Sequence, residues 1–156
     1  MSEENALALY AHLMRRAGFG ATRDELKNFA SRGYEAVVND LVNPENLPDV
    51  DEDLINRFHR VSFEGKWLYR MVNTRRPLVE KMALFWHHLL ATGSSKSNHH
   101  CTAFDQILMF RDLAMGKVRD VLTAVSKDPA MIFWLDNQEN LEEEPNENYG
   151  RELMEL

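Results

Sequence analysis

With 156 residues, 44% hydrophobic and 28% charged, the chain is long enough to bury a sizeable core, and its composition is that of an ordinary globular protein. Its single cysteine, Cys101, excludes an intrachain disulfide and fits a reducing compartment. The net charge of −7 is concentrated at one end: Glu139 to Leu156 holds seven acids and one arginine, a net −6, leaving the first 138 residues at −1. No apolar run approaches the ~20 residues of a membrane span.

The opening segment, MSEENALALYAHLMRR, is acidic first and basic later, the reverse of a secretory signal, and this gives a cytoplasmic expectation. Thr22-x-x-Glu25 is a capping box that opens a helix ending near Gly33, a residue suited to a left-handed C-terminal cap. Tyr34–Val42 reads as a further helix, stopped by Asn43-Pro44, and Pro44–Asp53 reads as a loop. Helices are expected at about Asp53–Val61 and Ser62–Val72. A stronger one starts after Thr74-Arg75-Arg76, where Pro77 suits a first turn. Gly93–His100 is a polar loop. Phe104–Met115, ending at Gly116, and Val118–Val125 are amphipathic helices. Asp128-Pro129 supplies an N-cap followed by a first-turn proline and opens Ala130–Leu135. After an acidic loop at Glu139–Pro145, Asn146 or a neighbour opens the last helix. About ten short helices, no period-2 alternation and no internal repeat predict a single all-α domain over residues 1–156.

Between Arg57 and Lys81 the balance is basic: Arg57, Arg60, Lys66, Arg70, Arg75, Arg76 and Lys81 face only Glu64 and Glu80. Solvated or mutually paired charges are the expectation. The aromatics there, Trp67 and Tyr69, sit at helical spacing and read as core, so no nucleic-acid partner is expected.

PLVEKMALFWHHLLA is apolar in nearly every direction on a helical wheel, which predicts a buried central helix over about 77–91. Its polar residues then need partners: Glu80 and His87, seven apart, lie nearly in line. His87 reads either as a hydrogen-bonded core histidine or as a ligand or proton carrier working with carboxylates of another helix. His99-His100-Cys101 lacks a second Cys/His pair of metal-site spacing and reads as a connecting loop. In the last helix Glu147, Asn148, Arg151, Glu152 and Glu155 share a face opposite Tyr149, Leu153 and Leu156. Arg151 stands i,i+4 to both Glu147 and Glu155 and could bridge them. Such a face is either a solvated surface or a buried network that leaves Glu152 for acid–base chemistry or a divalent ion.

HLMRRAGFGATRDEL, RPLVEKMALFWHHLLAT, VRDVLTAVSKDPAMIFWLDN and PNENYGRELMEL together resemble the bacterial family known as domain of unknown function 1800, in that family's order and over most of the chain. Position by position, the resemblance points to Arg15, Gly18, Gly20, Glu80, Lys81, Trp86, His87, Asp128, Pro129, Asn146, Glu147, Asn148, Arg151, Glu152 and Glu155. It departs at Leu89, where the family often has a second histidine, and in the His99-His100-Cys101 loop. Members are helical, several hundred residues long and continue past the last motif, so the resemblance implies that Leu156 is a truncation point. Their genes often neighbour a second family, which implies a protein partner, and many are exported, which keeps export open. The resemblance carries no established reaction.

Two functional expectations follow. In one, Glu80, His87, Glu147, Arg151 and Glu152 form the catalytic cluster of a hydrolase-like or divalent-metal-dependent enzyme, with His87 and Glu152 as the metal ligands. In the other, the same polar residues are structural and the chain is a non-catalytic helical scaffold or partner-binding module.

Overall fold

The structure is a computed structural model and describes residues 2–51, 53, 62–93, 96 and 100–155, His100 without its side chain. Among the described residues there are nine α-helices and no strand, as the sequence pattern predicts: α1 (Glu3–Ala17), α2 (Arg23–Arg32), α3 (Tyr34–Val42), α4 (Phe63–Asn73), α5 (Pro77–Leu89), α6 (His100–Asp112), α7 (Val118–Val125), α8 (Pro129–Trp134) and α9 (Asn148–Glu155). Short 3-10 turns at Pro44–Asn46 and Asn137–Glu139 complete it. Of the helix expected at Asp53–Val61, all but Asp53 lies outside the described residues. The chain forms two compact units, Met1–Lys81 and Met82–Leu156, divided within α5.

In the first unit, Tyr10, Met14 and Ala17 recur at helical spacing on α1 and are buried with Val37 and Leu41 of α3; Leu26 and Phe29 of α2 pack against this cluster. Helix ends are fixed locally. Thr22 and Glu25 form the full capping box, with the Thr22 amide donating to Glu25 Oε2 at 2.6 Å. Gly33 has φ 90°, the positive φ expected of it, but ψ 151° lies outside the left-handed helical well. Gly33 ends α2 and starts α3 in one residue. Gly18 is needed for a different reason: a Cβ there would stand 2.9 Å from Pro77 Cβ, so the α1 exit and the α5 entry meet at a hydrogen atom.

In the second unit, Ile107, Phe110 and Ala114 on and after α6 are buried with Val121 and Val125 of α7 and Ala130 and Met131 of α8. Asp128 caps α8, accepting from Met131 N at 2.9 Å, and Pro129 takes the first turn, both as expected. Two expectations need correction. Helix α6 starts at His100 rather than Phe104, and ends at Asp112, with residues 113–115 forming a turn before Gly116. Helix α5 is buried along one line rather than all round. Glu80, Ala83, Trp86 and, just beyond the helix, Leu90 are buried, while Phe85 is 50% exposed and Leu89 37%. Spacings of three, three and four residues make this the one-sided stripe of a surface-packed helix.

Candidate functional site

Three polar arrangements stand out. The first is built on Glu80, in the first unit. A carboxylate in the interior needs compensation, and two residues of α4 supply it: the Trp67 indole donates from Nε1 to Glu80 Oε2 at 3.2 Å, and Arg70 Nη1 stands 3.9 Å from Glu80 Oε1. The same Arg70 nitrogen reaches Asp49 Oδ1 at 3.3 Å. Trp67 and Arg70 are three apart and so share the face that meets α5. Glu80 is 1% exposed and Arg70 8%. Other members of the basic stretch are also engaged: Arg76 Nε donates to Leu47 O at 2.7 Å, and Lys81 Nζ lies 5.2 Å from the centre of the Phe19 ring. Arg57 and Arg60 lie outside the described residues.

The second arrangement, in the second unit, went unnoticed in the sequence. Gln106, on α6, is completely buried. Its Oε1 accepts from Thr92 Oγ1 at 2.7 Å and its Nε2 donates to Asp128 Oδ2 at 2.7 Å. The amide orientation follows from its partners, since a carboxylate can only face the NH2 end. Burial pushes the Asp128 carboxyl above its ordinary range, against the opposing pull of its hydrogen bonds from Met131 and Gln106, and nearby Asp105 adds to the rise. Thr92, Gln106 and Asp128 thus tie the segment after α5 to α6 and to the start of α8.

The third is a cleft of about 130 Å³, also in the second unit, lined by Leu89, Leu90, Ala91, Met131, Trp134, Leu135, Tyr149, Glu152 and Leu153. Its walls are pinned by polar contacts. Tyr149 Oη lies 2.6 Å from Ser126 Oγ at the end of α7. Asn146 Nδ2 donates to the carbonyls of Leu135 and Asp136, and its Oδ1 accepts from Asn148 N at 2.9 Å, starting α9. Lys96 Nζ donates to Trp134 O at 3.0 Å and to the Asp136 carboxylate. Asp136 itself takes a left-handed conformation, φ 57°. Asn146 is therefore a clasp between the end of α8 and the start of α9.

The sequence-predicted site residues separate as follows. Glu80 is buried in the first unit. His87, half-buried in the second, has its ring centre 6.3 Å from that of Phe110; burial lowers its pKa, helped by neighbouring His88. Glu147, Arg151 and Glu152 are exposed. Arg151 bridges neither Glu147 nor Glu155, as no ion pair within 4 Å joins them. Glu152 alone of this face borders the cleft. Among the described residues, no group of three or more His, Cys, Asp and Glu side chains is placed to hold a metal ion, and no helix is long and apolar enough to cross a membrane. One buried donor, Trp86 Nε1, has no hydrogen-bond partner among the described residues.

Comparison with known families gives a match over most of the chain. The model of the family described as protein of unknown function (DUF1800) covers residues 12–156. The chain belongs to the DUF1800 family. The match takes in all three arrangements: the Glu80 cluster, the Gln106–Asp128 tie and the cleft of this DUF1800 chain. No curated protein and no solved structure matches it.

Proposed function

We propose that this DUF1800 chain is a non-catalytic helical scaffold that binds a protein partner, and that its interior polar groups hold helices together. The observation that carries this reading is the setting of Glu80. A carboxylate 1% exposed and faced by Trp67 and Arg70 has partners for its own charge and no opening to a substrate. Gln106 and Asp128 repeat the pattern in the second unit. Removing one partner of such a buried pair costs about 3–5 kcal/mol. Glu80→Ala is therefore expected to lower the denaturant midpoint sharply or to prevent folding. A Glu80→Ala protein that keeps the parent's unfolding curve and loses an activity refutes the scaffold reading.

One observation favours the alternative, a hydrolase-like or divalent-metal-dependent enzyme: Glu152 brings a carboxylate with no hydrogen bond or ion pair among the described residues to a cleft lined mostly by apolar side chains. That reading, with Glu80, His87, Glu147, Arg151 and Glu152 as its cluster and His87 and Glu152 as ligands, predicts stoichiometric divalent metal in the purified protein, lost in Glu152→Ala. Elemental analysis decides between the two.

A further inference from the structure

A lysine side chain has two needs: apolar surface for its methylene stem and a carboxylate for its ammonium. The cleft bordered by Leu90, Met131, Trp134, Tyr149, Leu153 and Glu152 offers both. We propose that it is a docking site for a lysine carried on a basic segment of a partner protein. This deepens the partner-binding half of the scaffold reading and rests on it.

Size comes first. The cleft holds about 130 Å³, and a protein cavity of ~150 Å³ accepts benzene, six heavy atoms. Four methylenes and an ammonium are of that scale. The walls then select the chemistry. Leu90, Met131 and Leu153 give the stem apolar contact, and Trp134 and Tyr149 add aromatic rings, which attract an ammonium through their quadrupoles. Glu152 is the single charged group on the wall, and its carboxylate has no hydrogen bond or ion pair among the described residues. An apolar side chain entering here would cover part of that carboxylate's hydration and return no polar contact. An arginine side chain, with seven heavy atoms against the five of lysine, is larger than the six-atom ligand that a cavity of this scale accepts. A lysine matches a lone carboxylate on the wall of a cleft whose other lining side chains are aliphatic and aromatic.

Preorganisation and charge add to the case. Tyr149 is held by Ser126, α9 by the Asn146 clasp, and Trp134 by Lys96 on its carbonyl, so the walls stand before any ligand arrives. In the chain segment that carries Tyr149, Glu152 and Leu153 to the cleft, Glu142, Glu143, Glu144, Glu147 and Glu155 are all exposed. This acidic field attracts a basic segment and speeds its encounter.

The test is fluorescence anisotropy on the whole chain, with a labelled serine/glycine peptide carrying a central lysine flanked by arginines. Companion peptides carry norleucine or alanine at the centre. The lysine peptide is expected to bind most tightly, the norleucine peptide more weakly and the alanine peptide most weakly. Glu152→Gln, at an exposed position, is expected to weaken the lysine peptide about two- to fivefold and to leave the norleucine peptide unchanged. Because the key comparison is made on the peptide, it needs no destabilised variant. Equal affinity for all three peptides, or no binding at all, overturns the proposal. A Glu152→Gln effect that is the same for lysine and norleucine also overturns it. None of these failures touches the scaffold reading, whose own test is the unfolding of Glu80→Ala.

Discussion

Replacing Gln106 by leucine isolates the buried tie in the second unit. The two side chains are similar in size, so the change removes two hydrogen bonds with little change in packing volume. Asp128 keeps the Met131 amide, at 2.9 Å, but loses the Gln106 donor at 2.7 Å, and it is only 7% exposed. A hydrogen bond to a charged group is worth about 1.5–3 kcal/mol. The Thr92 hydroxyl, half-buried, loses its acceptor and adds about 0.5–1.5 kcal/mol. Burying leucine carbons where the amide stood returns about 1 kcal/mol. The net expectation is a loss of about 2–3 kcal/mol, which for a chain of this length lowers Tm by roughly 4–12 °C. Denaturant unfolding followed by circular dichroism, run as a double-mutant cycle with Asp128→Asn, measures the coupling directly. A Gln106→Leu protein within about 0.5 kcal/mol of the parent, or a cycle with no coupling, refutes the claim that this bond holds α6 to the start of α8.

Three further outcomes follow from the same geometry. Because burial raises the Asp128 carboxyl above its ordinary 3.8, the folded state holds that proton more tightly than the unfolded state does. Its contribution to stability is full below 3.8 and declines as pH rises through the raised value, so the difference between parent and Asp128→Asn should change in that window; proton-resolved unfolding curves check it. Burial lowers the His87 pKa below its ordinary 6.5, so its contribution is present above 6.5 and lost as pH falls through the lowered value. His87→Gln should flatten that acid-side loss, and an identical pH–stability profile would contradict it. Gly18→Ala places a methyl 2.9 Å from Pro77 Cβ and should cost about 1–3 kcal/mol, read from the denaturant midpoint.

Helix ends were the most legible feature, because caps are local chemistry. Thr22 with Glu25, and Asp128 with Pro129, announce their turns within four residues, and the structure has both. The start of α6 was not legible: its first turn, His100 to Ala103, lacks a cap signal and an apolar stripe, and the helix there continues what reads as a polar loop. Gln106 was invisible for a different reason. Periodicity counts glutamine as a surface residue, whereas its burial depends on Thr92 and Asp128, 14 and 22 residues away. Glu80 was legible as a carboxylate needing a partner, but not that the partners would be Trp67 and Arg70 of α4. On α5 the wheel counts apolar residues and not their neighbours, so it could not foresee that Phe85 would be half exposed. On α9 the i,i+4 spacing makes a bridge by Arg151 geometrically open, but an exposed pair gains too little to hold two long side chains in place.

The account turns on whether interior charge here is architecture. Equilibrium denaturant unfolding of Glu80→Leu, Arg70→Met and the double variant tests this most directly. A buried ion pair that joins α4 to α5 predicts that each single variant loses about 3–5 kcal/mol, whereas the double variant leaves no charge stranded in the interior, Asp49 being exposed, and recovers most of it. A Glu80→Leu protein as stable as the parent would contradict the structural role of this cluster and, with it, the scaffold reading.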